Sequence, residues 1–187
     1  MTALPWPDHL MSLDEWDKLP EDSSRRFELV EGILIVSPRP ALLHQRATVR
    51  LAAQLDDQLP RELTALADVE VVIDERHPAT VRAPDVVVTG AELAEKNLAR
   101  LYASDVVLAV EIISPGSGRT DRVTKLFEYA QAGIPHYWLV ELAGPVTLTA
   151  YTLAGDHYEL AVSPATGNVT LTEPARVDLD LPALIAR

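Results

Sequence analysis

The chain has 187 residues, of which 48% are hydrophobic and 24% charged, and this composition predicts one soluble globular domain spanning residues 1–187. It contains no cysteine, which excludes disulfides and thiolate zinc sites and favours a cytoplasmic location. The net charge of −12 argues against a broad nucleic-acid-binding surface, because binding to phosphates depends on clustered Lys and Arg. No segment approaches the ~18 consecutive apolar residues of a membrane span.

The first part of the chain predicts a short helix, a hairpin and a longer helix. The sequence Ser-Leu-Asp-Glu at residues 12–15 is a capping box and predicts the start of the short helix. Residues 27–31 and 33–36 are strand-like on either side of Gly32, which predicts a hairpin. Apolar residues then recur at helical spacing over residues 42–59.

The middle of the chain predicts the core of an α/β fold. Three strand-like runs, at residues 69–74, 85–89 and 106–113, precede a helix over residues 121–132 and a further strand at 136–140. This order of helix, three strands, helix and strand predicts a mixed sheet flanked by helices.

The helix over residues 121–132 is predicted to pack through four apolar side chains, those of Val123, Leu126, Phe127 and Ala130. Two later runs, at residues 146–153 and 157–162, predict a C-terminal β-hairpin followed by a weakly patterned tail. We expect the core over residues 12–141 and the hairpin and tail over residues 146–187.

Glu111 is the only charged residue in the apolar run 106–113, which is typical of a strand covered on both faces. An ionised carboxylate there is costly unless a cation or hydrogen-bond donors compensate it. Asp85 stands at the start of the apolar run 85–89 and adds a second carboxylate on a neighbouring strand. The two acids suggest a shared cation. Alternatively, Asp85 caps loop amides and Glu111 pairs with a buried Arg or Lys.

Several short motifs follow one another in a fixed order between residues 12 and 141. They are Phe27-Glu28-Leu29-Val30-Glu31-Gly32, His44-Gln45, Ala83-Pro84-Asp85, Val110-Glu111-Ile112-Ile113-Ser114-Pro115, Asp121, Lys125, Tyr129, Gly133 and Tyr137-Trp138-Leu139-Val140. With these motifs the chain resembles the PD-(D/E)XK nuclease superfamily and, within it, the Uma-type putative restriction endonuclease family. The resemblance implies a restriction-endonuclease-like core, extended by the N-terminal helix and hairpin and by the C-terminal hairpin, and it implies cleavage of DNA.

The resemblance also implies a metal site. Asp85, Glu111 and the main-chain carbonyl of Ile112 would bind Mg²⁺, for which Mn²⁺ can substitute. Mg²⁺ prefers hard oxygen ligands and retains bound waters, which suits a phosphodiester substrate.

The superfamily lysine two residues after the glutamate is absent, because Ile113 stands there. The resemblance implies that Lys125, on the following helix, takes its place and stabilises charge on the phosphate. The helix pattern indicates the opposite, because it places Lys125 across from the apolar residues. It also makes Asp121 and Lys125 an i,i+4 pair, which is typical of a solvated face. Both interpretations of Lys125 are open at the level of sequence.

Three further residues are candidates for auxiliary roles: Glu31, His44 and Asp121. His44 falls in the first turn of its helix, where it could point into the site or pack as a satisfied histidine. Glu28 and Glu31 alternate with apolar neighbours, a pattern common on a solvated strand face, and of the two we expect Glu31 to join the acids. Tyr129 is expected in the core.

These features predict a Mg²⁺-dependent DNA endonuclease. The alternative is a catalytically inactive nuclease fold that binds a protein partner, which the acidity of the chain favours. Arg39, Arg46 and Arg50 could form a small basic lip near the site, and a homodimer could gather such lips along a duplex. Other chemistries are disfavoured, because the chain lacks a Gly-Lys-Ser/Thr phosphate loop, a Gly-x-Ser-x-Gly elbow and zincin histidine spacing.

Overall fold

The computed structural model describes residues 7–19, 25–96, 98–114 and 116–187. The helices are α1 (Leu13–Trp16), α2 (Leu42–Asp56), α3 (Ala91–Glu95) and α4 (Leu126–Gln131), and α4 continues from a π-helical segment at Thr120–Lys125. The strands are β1 (Arg26–Val30), β2 (Ile33–Ser37), β3 (Leu63–Ala67), β4 (Val71–Asp74), β5 (Thr80–Arg82), β6 (Val86–Gly90), β7 (Leu101–Tyr102), β8 (Val106–Ile113), β9 (His136–Glu141), β10 (Thr147–Ala154), β11 (His157–Thr166), β12 (Asn168–Leu171) and β13 (Val177–Asp180). No helix in these ranges is long and apolar enough to cross a membrane.

The central sheet has six strands in the order β11-β10-β9-β8-β6-β3. Strands β8 and β9 are parallel, and the other neighbours are antiparallel. The polypeptide between β8 and β9 forms the π-helical segment and α4, as expected for a crossover between parallel strands. The predicted mixed sheet with flanking helices is therefore confirmed.

One predicted strand belongs to a different sheet. The run at 69–74 forms β4, which lies in a five-stranded sheet of order β2-β1-β5-β4-β7. Besides β8, the strand that pairs with β6 in the central sheet is β3, which was not predicted from the sequence. Its residues are only half-buried, so the apolar signal that marks a central strand is weak there.

The register between β6 and β8 brings the two predicted acids together. Val86 lies opposite Val110 in this antiparallel pair, and continuing the register by one residue places Asp85 opposite Glu111. Since paired residues point to the same face of a sheet, both carboxylates emerge on one side.

Both faces of the central sheet are covered. The first face packs against α2 through Ala47, Leu51 and Leu55 and against the C-terminal hairpin β12–β13. The second face packs against α4 through Tyr129 and Ala130. This double coverage explains why β8 reads as an almost continuous apolar run.

The C-terminal segment is more ordered than its sequence pattern indicated. Gln54 on α2 donates to the Asp180 carbonyl (3.2 Å) and accepts from its amide (2.9 Å). Gln58, one turn later, makes the same pair of bonds with Asp178 (3.0 and 2.8 Å). Side-chain amides thus take the place of a neighbouring strand along β13, and they fix the position of α2.

Gly32 lies between β1 and β2 with φ +77°, and a Cβ there would approach the Cβ atoms of Leu10 and Pro78 to 2.8 and 2.9 Å. Gly155 also has positive φ, at +69°, but a Cβ there meets open space. We predict that Gly155→Ala lowers the free energy of unfolding by about 1–2 kcal/mol, from backbone strain alone. Gly32→Ala should cost a further ~1–3 kcal/mol from overpacking. Urea denaturation of both variants measures the difference, and equal costs would contradict the close contact.

Candidate active site

A cavity of about 550 Å³ opens between the hairpin β1–β2, the start of α2, the ends of β6 and β8, and the π-helical segment. Its polar wall consists of Arg26, Glu28, His44, Arg82, Asp85, Glu111, Asp121 and Lys125. An apolar part is formed by Val30, Ile35, Pro38 and Pro40. The two acids singled out from the sequence therefore lie in one cavity with Lys125.

Asp85 is held by three groups. Its Oδ1 accepts from Nη1 of Arg26 at 2.7 Å, its Oδ2 accepts from the amide of Ile112 at 2.7 Å, and the same Oδ2 lies 3.2 Å from Nε2 of His44. Burial alone would raise the pKa of Asp85, but the bond from His44 and the charge of Arg26 lower it below its ordinary value. Asp85 is thus an ionised acid bound to the adjacent strand.

Glu111 is 2% exposed, and it accepts hydrogen bonds from Nζ of Lys125 at 2.9 Å and from the hydroxyl of Tyr129 at 2.8 Å. Both bonds end on Oε1. Burial raises the pKa of Glu111 to about 7, against the attraction of Lys125 and with a further contribution from the charge of Asp85. The described residues therefore do not fully compensate the ionised form of this carboxyl group.

Lys125 is buried and lies among three carboxylates. Its Nζ is 2.9 Å from Glu111, 3.3 Å from Glu28 and 3.6 Å from Asp121. Burial alone would lower the pKa of the ammonium, but these carboxylates raise it above its ordinary range. The interpretation of Lys125 and Asp121 as a solvated surface pair is therefore wrong, although the i,i+4 contact between them exists.

The π-helical segment explains why the helix pattern was misleading. Asp121 and Lys125 would lie side by side in an α-helix too, but the wider turn of this segment sets both of them on the buried face. Val123 and Phe127, which were expected to pack inwards, are instead 61% and 64% exposed.

The ion pairs of Lys125 offset the cost of exposing the two apolar side chains. Exposing Val123 and Phe127 forfeits about 3–6 kcal/mol in total, which is similar to the ~3–5 kcal/mol that removing one partner from a buried ion pair costs. Three carboxylates share this one ammonium, so moving it outside would leave more than one buried charge without a partner.

A second ion-pair network extends from the cavity wall to Glu128 on α4. Arg82 is buried and donates to both carboxylate oxygens of Glu128 at 2.8 Å and to Glu28 at 3.0 Å. Glu28 also accepts from the amide of Ala83, two residues before Asp85, at 3.3 Å. Glu28 thus links Lys125 to the segment that carries Asp85.

Glu31 does not join the acids, so the preference for it over Glu28 was wrong. It is exposed in the turn between β1 and β2, with φ +48°, whereas Glu28 lies on the strand itself. Alternating charged and apolar residues are common on solvated strands, which concealed the burial of Glu28 and Arg82. The sequence did offer one indication of Arg82, which stands only three residues before Asp85.

The predicted basic lip is also wrong for two of its three arginines. Arg50 donates to the carbonyls of Ala183 and Ala186 at 2.6 and 2.7 Å, and Arg46 donates to Ala186 at 3.3 Å. Both side chains bind the C-terminal segment, and neither lines the cavity.

The donor set suits a hard divalent cation. Five carboxylates (Glu28, Asp85, Glu111, Asp121 and Glu128) face three basic side chains (Arg26, Arg82 and Lys125), which leaves two negative charges with His44 neutral. Within the described residues no three acidic or histidine side chains form a metal-binding group. A cation at Asp85 and Glu111 would therefore complete its shell with the Ile112 carbonyl and water, as Mg²⁺ does readily.

The chain is an α/β protein with two acids paired across neighbouring strands, and comparison with known proteins shows its family. The chain belongs to the Uma2 family, described as "putative restriction endonuclease", whose model matches residues 13–183. Among solved structures it is similar to a putative nuclease belonging to DUF820 from Anabaena variabilis ATCC 29413, with 19% identity and a TM-score of 0.69 over 94% of this chain and 97% of that one. No curated protein matches the chain.

The raised pKa of Glu111 predicts a pH-dependent effect on stability without metal. An acid whose pKa is raised on folding, here from 4.5 to about 7, loses stability as the pH rises between these two values. We therefore expect Glu111→Gln to raise the free energy of unfolding at pH 8, in EDTA, by an amount on the order of 3 kcal/mol.

This gain should decline as the pH falls through 7 and vanish below about 4.5, as followed by urea denaturation at several pH values. Glu159→Gln, which removes an exposed carboxylate, controls for the change in net charge. A gain that does not depend on pH would show that burial of Glu111 is not its source.

Proposed function

We propose that the protein is a Mg²⁺-dependent DNA endonuclease whose active site is the cavity around Asp85, Glu111 and Lys125. The observation that supports this most strongly is the convergence of these three side chains from the residue before β6, from β8 and from the π-helical segment. Family membership and the nuclease-like fold point to the same chemistry.

In this proposal, Asp85, Glu111 and the carbonyl of Ile112 hold the metal ion. The bound ion would supply Lewis-acid polarisation of the phosphate and a more acidic water. Ile112 already joins the two acids, because it follows Glu111 in the chain and its amide binds Asp85.

Lys125 would act as an electrostatic donor to the phosphate. The raised pKa keeps its ammonium charged at neutral pH, so it is unsuited to act as a general base. A fixed positive charge beside the metal would stabilise the negative charge that develops on the phosphate during cleavage.

A second candidate function is a protein-interaction domain that keeps the fold without cleaving DNA. The net charge of −12 favours it, as does the use of Arg46 and Arg50 to bind the C-terminal segment. Nicking of supercoiled plasmid with Mg²⁺ distinguishes the two functions. A nuclease is inhibited by EDTA and inactivated by Glu111→Gln, whereas activity that persists in this variant indicates a contaminant.

We predict that Mn²⁺ binds the protein in calorimetric titrations and that Asp85→Ala and Glu111→Ala each abolish binding, because each removes a carboxylate ligand. Glu31→Ala should bind like the parent, since Glu31 lies in an exposed turn. Unchanged binding in the first two variants would place the metal elsewhere.

Lys125→Met should lower the rate of DNA cleavage by about 10²–10³ and leave Mn²⁺ bound, because the ammonium is no metal ligand. Lys125→Arg should not restore the rate, since a planar guanidinium cannot occupy the same point. Single-turnover cleavage at saturating Mg²⁺ measures the effect. Full activity of Lys125→Met would exclude Lys125 from the reaction.

A further inference from the structure

His44 contacts two of the groups assigned to the metal site, the Ile112 carbonyl and the Asp85 carboxylate. The residue lies in the first turn of α2 and is buried. Its Nε2 is 2.8 Å from the carbonyl oxygen of Ile112 and 3.2 Å from Oδ2 of Asp85. Since Oδ2 also accepts from the amide of Ile112 at 2.7 Å, the three residues form a closed ring of hydrogen bonds.

The contacts fix which atom of the imidazole carries a proton. A carbonyl oxygen and a carboxylate oxygen are both acceptors, so Nε2 can bind them only as an N–H donor. A donor nitrogen has no lone pair for a metal ion. His44 in this orientation is therefore no metal ligand, although it adjoins two groups assigned to the metal site.

We propose that His44 is a positioning residue for the metal site, which rests on the function proposed above. Its Nε2–H binds one lone pair of the Ile112 carbonyl, which keeps a second lone pair for the cation. It also binds Asp85 Oδ2, which accepts from the Ile112 amide as well, so the cation would take the free lone pair of Asp85 Oδ1, whose other partner is Arg26. The histidine thus holds a main-chain oxygen on β8 and a side-chain oxygen beside β6 in a fixed relation. Outer partners of this type raise metal affinity about 10–100-fold.

The helix that carries His44 is itself held in place. Arg50, Gln54 and Gln58 bind main-chain groups of the C-terminal segment, and Ala47 and Leu51 are fully buried against the central sheet. The imidazole therefore reaches the two oxygens from a fixed backbone, which a positioning role requires.

Mn²⁺ titrations of His44→Ala and His44→Gln test the proposal. The amide of Gln can donate a hydrogen bond from nearly the position of Nε2, so His44→Gln should keep Mn²⁺ affinity within a few-fold of the parent. His44→Ala should lose about 10–100-fold. Gln45→Ala, at the exposed neighbour on the same helix, is the control for effects on α2.

A second measurement needs neither metal nor activity. In the metal-free protein, long-range ¹H–¹⁵N correlation spectra should show the His44 ring with its proton on Nε2. A ring without that proton would overturn the proposal.

The outcomes separate this proposal from the nuclease function. Equal affinity of His44→Ala and the parent would overturn the positioning role. An equal loss in His44→Ala and His44→Gln would identify the ring nitrogen as a ligand and overturn it as well. If the parent binds Mn²⁺, His44→Ala binds it weakly and neither cleaves DNA, the positioning role holds and the nuclease function fails. Absence of Mn²⁺ binding in the parent would overturn both.

Discussion

The position of one ammonium group governs the arrangement of the cavity. Nζ of Lys125 contacts carboxylates from β1, from β8 and from its own helical segment, and so it joins β1 to two elements that lie far from it in sequence. Without it, three acids would face one another in a nearly dry space, at a cost of several kcal/mol each. The π-helical geometry, the exposed Val123 and Phe127, and the inward orientation of Glu28 all follow from keeping this cation inside.

A second set of contacts fixes the opposite wall. The C-terminal hairpin holds α2 through side-chain amides of Gln54 and Gln58, and α2 in turn delivers His44 to Asp85 and Ile112. The C-terminal segment thus contributes to the cavity without lining it. This explains why two arginines that looked suitable for a polyanion are bound to main-chain carbonyls instead.

The sequence identified Asp85 and Glu111, but not most of the charged side chains that surround them. Asp85 stands out because it opens an apolar run, and Glu111 because it interrupts one. The strand register then brings the two together. The place of Lys125 could not be predicted from periodicity, because a π-helical turn changes which residues share a face. Arg82 and Glu28 were missed because an alternating pattern does not distinguish a solvated face from a buried ion-pair network. The hairpin β12–β13 was missed because each of its strands has only four residues, which is too short for a clear alternating pattern.

The π-helical segment makes the number of residues between β8 and α4 a structural requirement. An ordinary α-helix would need one residue fewer in that turn. Deleting one residue would rotate the part of the chain before the deletion about the helix axis. Asp121 and the loop after β8 would then lie on a different face relative to α4, although every residue of the cluster around Lys125 would still be present in the sequence. In this part of the chain, a single-residue deletion should therefore be more damaging than most substitutions, and homologous sequences aligned without regard to this extra residue would misplace the lysine.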